Sequence, residues 1–184
     1  MNIRISCLCL FEQAGRYLFQ ETIYASSGRI MYRPIGGTME YGEQSVDTVV
    51  REVQEEIGAM IGQPTLRYII ENHYETNRQE VAEMNGVMVE ELPEQPQHGH
   101  DLAFIYEGTL PDQQWYEREV IEGIEGEVTY RSVWKTLEEI EHQQHALLVP
   151  NGLLELLLAD TKGEHYRSFV HHRVQSSHSM PSLG

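Results

Sequence analysis

Three glutamates and one arginine form a compact charged block in the sequence Arg-Glu-Val-Gln-Glu-Glu-Ile-Gly, which begins at Arg51. If this block is helical, Glu52, Glu55 and Glu56 lie three and four positions apart and are neighbours on one face. Carboxylates so close repel one another, by roughly a few tenths of a kcal/mol per pair. Their oxygens suit a divalent cation such as Mg²⁺. The block therefore predicts an outward-facing acidic surface that binds metal.

The element that must position these carboxylates follows a helical pattern from residue 45 to residue 57. Aliphatic residues recur along it at the spacing of a core-facing stripe. The stripe consists of Val46, Val49, Val50, Val53 and Ile57. Gly58 is predicted to end the helix, because glycine readily takes the left-handed conformation found just past helix C-termini.

Residues that precede the helix continue the pattern towards the N-terminus at fixed spacing. From Gly37 the chain has a glycine, five residues, Glu43, seven residues and then the charged block. This order resembles the Nudix box, G-x5-E-x7-R-E-U-x-E-E-x-G-U, where U is a bulky aliphatic residue. Ala59 is the one departure, and it leaves every polar position intact. The resemblance implies an α/β protein, a Nudix-type α/β/α sandwich with a mixed central sheet.

The resemblance also implies an activity: metal-dependent hydrolysis of a pyrophosphate bond in a nucleoside diphosphate linked to another group. The substrate would be a nucleotide or a nucleotide-sugar such as ADP-ribose or a nucleoside triphosphate. Bound Mg²⁺ or Mn²⁺ would neutralise the pyrophosphate charge and activate water. The alternative is a non-catalytic nucleotide-sensing domain of the same fold. Such domains usually lose carboxylates of the box, whereas this chain retains all of them.

The roles of individual box residues follow from the same resemblance. The predicted metal ligands are three carboxylates and one backbone carbonyl, from Glu52, Glu55, Glu56 and Gly36. A salt bridge between Arg51 and Glu43 would orient the loop before the helix. Gly37 would let the backbone approach the substrate closely. These residues form the predicted catalytic site.

Further candidate site residues lie outside the box. Arg33 precedes the glycines and could contact a substrate phosphate, with a surface salt bridge as the alternative. The acidic stretch 111–127, predicted to be a loop, offers Glu119 and Glu125 as an additional general base. A solvated run of charges is the alternative interpretation of this stretch. A glutamate of the box is the other candidate base.

Aromatic and histidine residues suggest further ligand contacts. Tyr17, Phe19 and Tyr32 could stack on a base, but aromatic residues of strands usually belong to the core, which is our prediction for them. His98 and His100 stand two positions apart near the end of a polar insertion. They could contact phosphate or metal, but we predict a plain exposed pair.

Composition narrows the choice of partner and compartment. With 13 basic and 29 acidic residues, the chain of 184 residues has a formal charge of −16, which disfavours binding to nucleic acid. A small nucleotide-type substrate remains compatible, because bound metal reverses the sign of the local field.

Cys7 and Cys9 are predicted to be buried thiols without a disulfide framework, which fits a cytoplasmic protein. No apolar run approaches membrane-spanning length, so no membrane partner is expected. A homodimer is compatible with the sequence.

The order of elements predicts one Nudix domain over residues 1–163, with an insertion at 76–99 and a polar tail at 164–184 that frays from Ser168. Strands are predicted at 3–11, 16–24, 30–33, 65–74, 101–110 and 128–134. Thr136 is predicted to cap a short helix together with Glu139. A last helix is predicted at 153–160, with Asn151 as its N-cap.

Overall fold

The computed structural model describes residues 3–24, 27–76, 82, 97–125, 128–164 and 169–173. The strands are β1 (Arg4–Leu10), β2 (Glu12–Gln13), β3 (Arg16–Tyr24), β4 (Arg29–Thr38), β5 (Thr65–Thr76), β6 (Gln97–Glu107), β7 (Val120–Glu125), β8 (Val128–Thr136), β9 (Ala146–Leu148) and β10 (Phe169–Arg173). The helices are α1 (Ser45–Ile57), α2 (Gln113–Glu117), α3 (Leu137–His142) and α4 (Leu153–Thr161). None of the helices described is long and apolar enough to cross a membrane.

The strands form one mixed sheet in the order β10-β5-β6-β1-β4-β3-β8-β7, with β2 on β3 and β9 on β4. Three pairs are parallel, namely β1 with β6, β5 with β10, and β4 with β9. The other pairs are antiparallel. The predicted mixed sheet is confirmed.

Each face of the sheet has its own core, because successive side chains of a strand point to opposite faces. On β1, Cys7 and Cys9 lie in the cluster that includes the buried face of α1. Leu8 and Leu10 lie in the other cluster, with leucines of α3 and α4. Helices therefore cover both faces, and the predicted α/β/α sandwich is confirmed. The prediction of buried thiols is also confirmed.

Strand β4 connects the two halves of the sheet, and its predicted end at residue 33 is wrong. The strand continues through Pro34 to Thr38. Its first half pairs with β3 as far as Pro34, and from Ile35 onward it pairs with β1. The proline, which has no N–H to donate, thus stands where the pairing passes from one neighbour to the other. The adjacent glycines Gly36 and Gly37 therefore lie within a strand.

The acidic stretch 111–127 is not a plain loop, because it contains α2 and β7. In strand β7 the buried Ile121 lies between the exposed Val120 and Glu122 and is surrounded in sequence by acidic residues, so the strand resembles a solvated charge run. Gly123 of β7 lies directly against α1: a Cβ there would be 1.6 Å from the carbonyl oxygen of Glu56. Strand β7 therefore packs close to the carboxylate-bearing end of the helix.

Three further predictions are corrected at the ends of elements. Strand β6 begins at Gln97, inside the predicted insertion, of which residues 77–81 and 83–96 lie outside the described part. The expected fraying from Ser168 is wrong for the backbone of β10, which pairs with β5. The N-cap of α4 is Gly152 in a left-handed conformation, not Asn151. The predicted capping box of Thr136 and Glu139 is confirmed.

Candidate active site

Helix α1 has the bounds predicted from its pattern, Ser45–Ile57. Val49, Val53 and Ile57 are buried against the sheet, which fixes the orientation of the helix. Gly58 ends it with a φ of 75°, and its N–H donates to the carbonyl oxygen of Gln54 at 2.9 Å. The carboxylates of the box therefore project from a well-anchored element.

The prediction that the three glutamates share an outward face is wrong for two of them. Glu52 is 8 % exposed and Glu56 is 2 % exposed, whereas Glu55 lies at the surface. The helix rests against β4, so its buried surface is wider than its aliphatic stripe. A prediction based on hydrophobicity alone places every carboxylate of a helix in solvent. It therefore misses acidic side chains that are buried between the helix and the sheet and held there by polar contacts.

The glycine pair of β4 lies against the two buried carboxylates. A Cβ on Gly37 would lie 2.5 Å from the carboxylate atoms of Glu52. Gly36 has a φ of 140°, and a Cβ there would be 2.2 Å from the carbonyl oxygen of Cys7. The N–H of Gly36 donates to Oε2 of Glu56 at 2.8 Å. The glycines thus allow backbone and carboxylates to approach closely.

Glu56 occupies a polar niche between the helix and the sheet. Its Oε1 accepts a hydrogen bond from Nη2 of Arg33 at 2.9 Å, and the same nitrogen donates to Oε1 of Gln20 at 2.6 Å. Burial raises the pKa of Glu56 to about 7, and the charge of Glu52 acts in the same direction. Arg33 and the N–H of Gly36 oppose this rise in pKa.

Arg33 therefore forms a salt bridge, as one of its two interpretations expected, but with a buried carboxylate and not at the surface. Its side chain is 31 % exposed, so part of it is accessible to solvent. Gln20 was not singled out from the sequence. The signal available was its position two residues after Leu18 on β3, on the face that packs against α1.

Arg51 and Glu43 form the predicted salt bridge. Nε of Arg51 donates to Oε1 of Glu43 at 2.7 Å, and Nη2 donates to Oε2 at 3.0 Å. The hydroxyl of Thr48 donates to the same carboxylate at 2.8 Å. These hydrogen bonds, chiefly those from Arg51, lower the pKa of Glu43 to about 2. The residues before the helix are thereby tied to its second turn.

Arg51 also contacts the predicted metal ligands. Its Nη1 donates to Oε1 of Glu52 at 2.9 Å and to Oε2 of Glu55 at 2.8 Å. One cationic nitrogen thus lies between oxygens of two carboxylates. The hydrogen bonds with Glu43, and after them the contacts with Glu55 and Glu52, raise the pKa of Arg51. Oxygen atoms of Glu52 and Glu55 thus share the positive charge of one arginine. An all-oxygen set of this kind fits a hard divalent cation.

The remaining candidates lie in different parts of the fold. Glu119 is exposed immediately before β7, and Glu125 ends that strand with a side chain outside the described part. Three aromatic side chains, of Tyr17, Phe19 and Tyr32, are buried in the core, as predicted. His98 is exposed on β6, as predicted. His100 is not, since its side chain is only 18 % exposed and its Nε2 lies 2.8 Å from Oε1 of Glu71.

A family model independently identifies the same fold, since the model described as NUDIX domain matches residues 2–152. The chain belongs to the NUDIX domain family. The match covers the box, strands β1 to β9 and helices α1 to α3, and it ends just before α4. The prediction of a Nudix hydrolase, an enzyme acting on acid anhydrides, is therefore confirmed at the level of the family.

Solved Nudix structures resemble this chain over most of its length. A NUDIX hydrolase from Nitrosomonas europaea is 21 % identical, with 90 % of this chain and 93 % of that chain covered and a TM-score of 0.53. A MutT protein from Bacillus halodurans is 15 % identical, with 94 % and 91 % covered and a TM-score of 0.53. An ADP-ribose pyrophosphatase from Streptococcus suis is 13 % identical, with 93 % and 98 % covered and a TM-score of 0.50. At these identities the likeness concerns the fold. No curated protein sequence matched the chain.

Proposed function

We propose that this Nudix hydrolase cleaves the pyrophosphate bond of a small nucleotide or nucleotide-sugar, with Mg²⁺ or Mn²⁺ held by Glu52, Glu55 and Glu56. The observation that carries the proposal is the proximity of these carboxylates to one another: Glu52 and Glu55 share Nη1 of Arg51, while Glu52 and Glu56 lie against Gly37 and Gly36 of β4. A bound divalent metal supplies charge neutralisation and activation of water.

The side chains of the site divide the remaining tasks. Glu55 is the exposed carboxylate of the three, so it is our candidate to accept a proton from water. Glu52 and Glu56 are held in place by Arg51 and by Arg33, respectively. The hydrogen bond from Gly36 orients Glu56 further. Such positioning matters because small displacements of reacting groups cost large factors in rate.

Arg33 is our candidate contact for a substrate phosphate. Its side chain forms a salt bridge with the buried Glu56 and is itself partly exposed to solvent. A guanidinium is suited to phosphate because its N–H groups match the geometry of the phosphate oxygens. The role of Glu119 or Glu125 as an additional base stays a prediction, as do the carbonyl ligand from Gly36, a homodimer and a cytoplasmic location.

The formal charge of −16 favours small substrates over nucleic acid. The neighbour from Streptococcus suis is described as an ADP-ribose pyrophosphatase, so ADP-ribose belongs at the head of a substrate panel, followed by nucleoside triphosphates and other nucleotide-sugars. We propose this class of substrate, and hydrolysis of the panel identifies which compound of the class is cleaved.

The test is hydrolysis of the panel in the presence of Mg²⁺ by the wild type and by Glu52→Gln, Glu55→Gln and Glu56→Gln. The matched control is Glu141→Gln, which changes an exposed glutamate of α3. We expect at least one substrate to be cleaved by the wild type and the control, with much slower cleavage by the three variants. Cleavage at equal rates by all proteins would contradict the assignment of the ligands.

The non-catalytic alternative predicts a different result. If no member of the panel is cleaved while one binds to wild type and variants with the same affinity, the chain is a nucleotide-binding module. The retention of every carboxylate of the box argues against this outcome.

A further inference from the structure

A second group of potential metal ligands lies away from the box, across strands β5 and β6. Glu71 and His73 are two positions apart on β5, and His100 on β6 is the register partner of His73. Residues two apart on a strand share a face, as do register partners on adjacent strands. All three side chains therefore lie on one face of the sheet.

The two imidazoles converge on a single carboxylate oxygen. Nε2 of His100 is 2.8 Å from Oε1 of Glu71, and Nε2 of His73 is 3.8 Å from the same atom. The first distance is a hydrogen bond, whereas the second is too long for one. The rings stack with their centroids 4.0 Å apart. The hydrogen bond to His100 and the stacking of the two rings thus bring all three side chains together around one oxygen atom.

The spacing of the ligand atoms is close to that of a metal centre. One ligand atom from each residue lies within 4.8 Å of the others. Ligands about 2.1 Å from a tetrahedral metal are about 3.4 Å apart, so a modest contraction completes the site. His73 is 47 % exposed and can rotate to provide this contraction.

The donor set selects a different cation from that of the box. Two imidazole nitrogens and one carboxylate oxygen suit Zn²⁺ and similar borderline metals, and three protein ligands leave one position for water. The box offers carboxylate oxygens, which suit Mg²⁺. A buffer that contains both cations should therefore load the two sites differently.

The group is well separated from the box. Gly36 on β4 and Ile105 on β6 are both register partners of Leu8 on β1. Ile105 therefore marks the position on β6 that lies level with the glycine pair. His100 precedes Ile105 by five residues, or about 16 Å along an extended strand. This separation excludes a metal shared between the two groups.

We propose that Glu71, His73 and His100 form a second metal site, which binds Zn²⁺ or a similar borderline divalent cation with one position open to water. The bound ion joins β5 to β6 at the end of the strand pair that adjoins residues 77–96. Because the ligands come from two strands, binding stabilises the folded protein by mass action.

The experiment uses Co²⁺ as a spectroscopic probe, added to the full chain with Mg²⁺ in excess to occupy the box. The wild type is expected to bind one equivalent with visible d–d absorption, and Zn²⁺ is expected to displace it. His100→Ala, His73→Ala and Glu71→Gln are expected to weaken binding by more than ~100-fold, since loss of outer partners alone costs about 10–100-fold.

The matched control is His98→Ala, which removes an exposed histidine from the same strand as His100. This variant, Glu56→Gln and the double variant of His171 and His172 to alanine are expected to keep the Co²⁺ signal. Thermal unfolding without metal verifies that each variant is folded, and Glu71→Gln retains the side-chain shape if an alanine variant fails to fold.

Wild-type Co²⁺ affinity in His100→Ala and Glu71→Gln would overturn the proposal. So would loss of the signal in Glu56→Gln, which would assign the ion to the box. Loss in the double variant would contradict the three-ligand site with an open position, because His171 is the register partner of Glu71 and would then belong to the ligand set. Absence of binding by the wild type would overturn it as well. The proposed hydrolase activity is tested separately, by hydrolysis of the substrate panel.

Discussion

Arg51 and Glu43 are joined by two hydrogen bonds, from Nε to Oε1 at 2.7 Å and from Nη2 to Oε2 at 3.0 Å. The remaining donor group of the same arginine, Nη1, contacts Glu52 and Glu55. A single side chain thus orients both the segment before α1 and two of the proposed metal ligands. This arrangement depends on the planar, multi-donor shape of guanidinium, which lysine lacks.

Arg51→Lys keeps the charge and removes this geometry. We expect kcat for the cleaved substrate to fall by about 10- to 100-fold, because misplaced catalytic groups cost factors of this order. Steady-state kinetics at saturating Mg²⁺ measures the effect. The matched control is Arg131→Lys, which changes a half-exposed arginine paired with Glu21. Equal kcat in Arg51→Lys and wild type would show that the paired geometry is unnecessary.

Glu43 gives the pH dependence of stability a defined sign. The hydrogen bonds from Arg51 lower its pKa in the folded protein to about 2, below the ordinary value of 4.5 for a free carboxyl group. A group with a lowered folded-state pKa stabilises the protein above the pKa of the unfolded chain, and this stabilisation is lost as pH falls towards the folded-state pKa.

Urea unfolding of the wild type and of Glu43→Gln from neutral pH down to about pH 3 tests this sign. The variant should be less stable by a constant amount at neutral pH, and the difference should shrink as pH falls below about 4.5. A difference that grows in acid would contradict the assigned interaction.

Gly37→Ala tests whether Glu52 needs the space above the glycine. A Cβ at this position would lie 2.5 Å from the carboxylate, which must move away. Because a side-chain end can shift, we expect a modest loss of stability of ~1 kcal/mol, at the low end for overpacking, but a clear loss of Mg²⁺ affinity. Calorimetric titration and urea unfolding measure the two effects.

The control for Gly37→Ala is Gly62→Ala, where a Cβ would meet nothing within 4 Å. This control should bind Mg²⁺ as the wild type does. Unchanged Mg²⁺ affinity in Gly37→Ala would mean that Glu52 can serve from another position or is not a ligand.

Gly123→Ala tests the close packing of β7 on α1. The added Cβ would meet the backbone carbonyl of Glu56 at 1.6 Å, and backbone cannot move as easily as a side-chain end. We expect the free energy of unfolding to fall by about 3 kcal/mol, at the upper end for overpacking. Gly62→Ala serves as control in urea unfolding. A stable variant would show that β7 does not pack closely on the helix.

The sequence was sufficient to predict α1 and the Arg51–Glu43 pair, because these features depend on residues near one another in the chain. An aliphatic stripe and a terminal glycine define the helix, and the resemblance to the Nudix box implied the pairing of the arginine with the glutamate. Burial of Glu52 and Glu56 depends instead on β4, which lies beneath the helix only after folding. The charge pattern therefore gave the wrong exposure for these two residues.

Strands β7 and β10 were missed for a related reason. In strand β7 the buried Ile121 is followed by the exposed Glu122 within an acidic stretch, so the sequence resembles a charged loop. Strand β10 pairs with β5, about a hundred residues earlier in the chain, and its local composition is polar. The His73–His100 contact likewise depends on the register of two strands separated by an insertion. Pairings over such distances carry little local signal.

The most direct test of the metal-bound carboxylate site is the rate of pyrophosphate hydrolysis as a function of Mg²⁺ concentration, compared between the wild type and Glu55→Gln. Metal catalysis is worth several kcal/mol, so we predict that chelation of the metal abolishes wild-type turnover and that Glu55→Gln is slower by about 10²–10³-fold at saturating Mg²⁺. Glu141→Gln should match the wild type throughout. Turnover that persists without divalent metal, or a Glu55→Gln rate equal to that of the wild type at every Mg²⁺ concentration, would contradict this account.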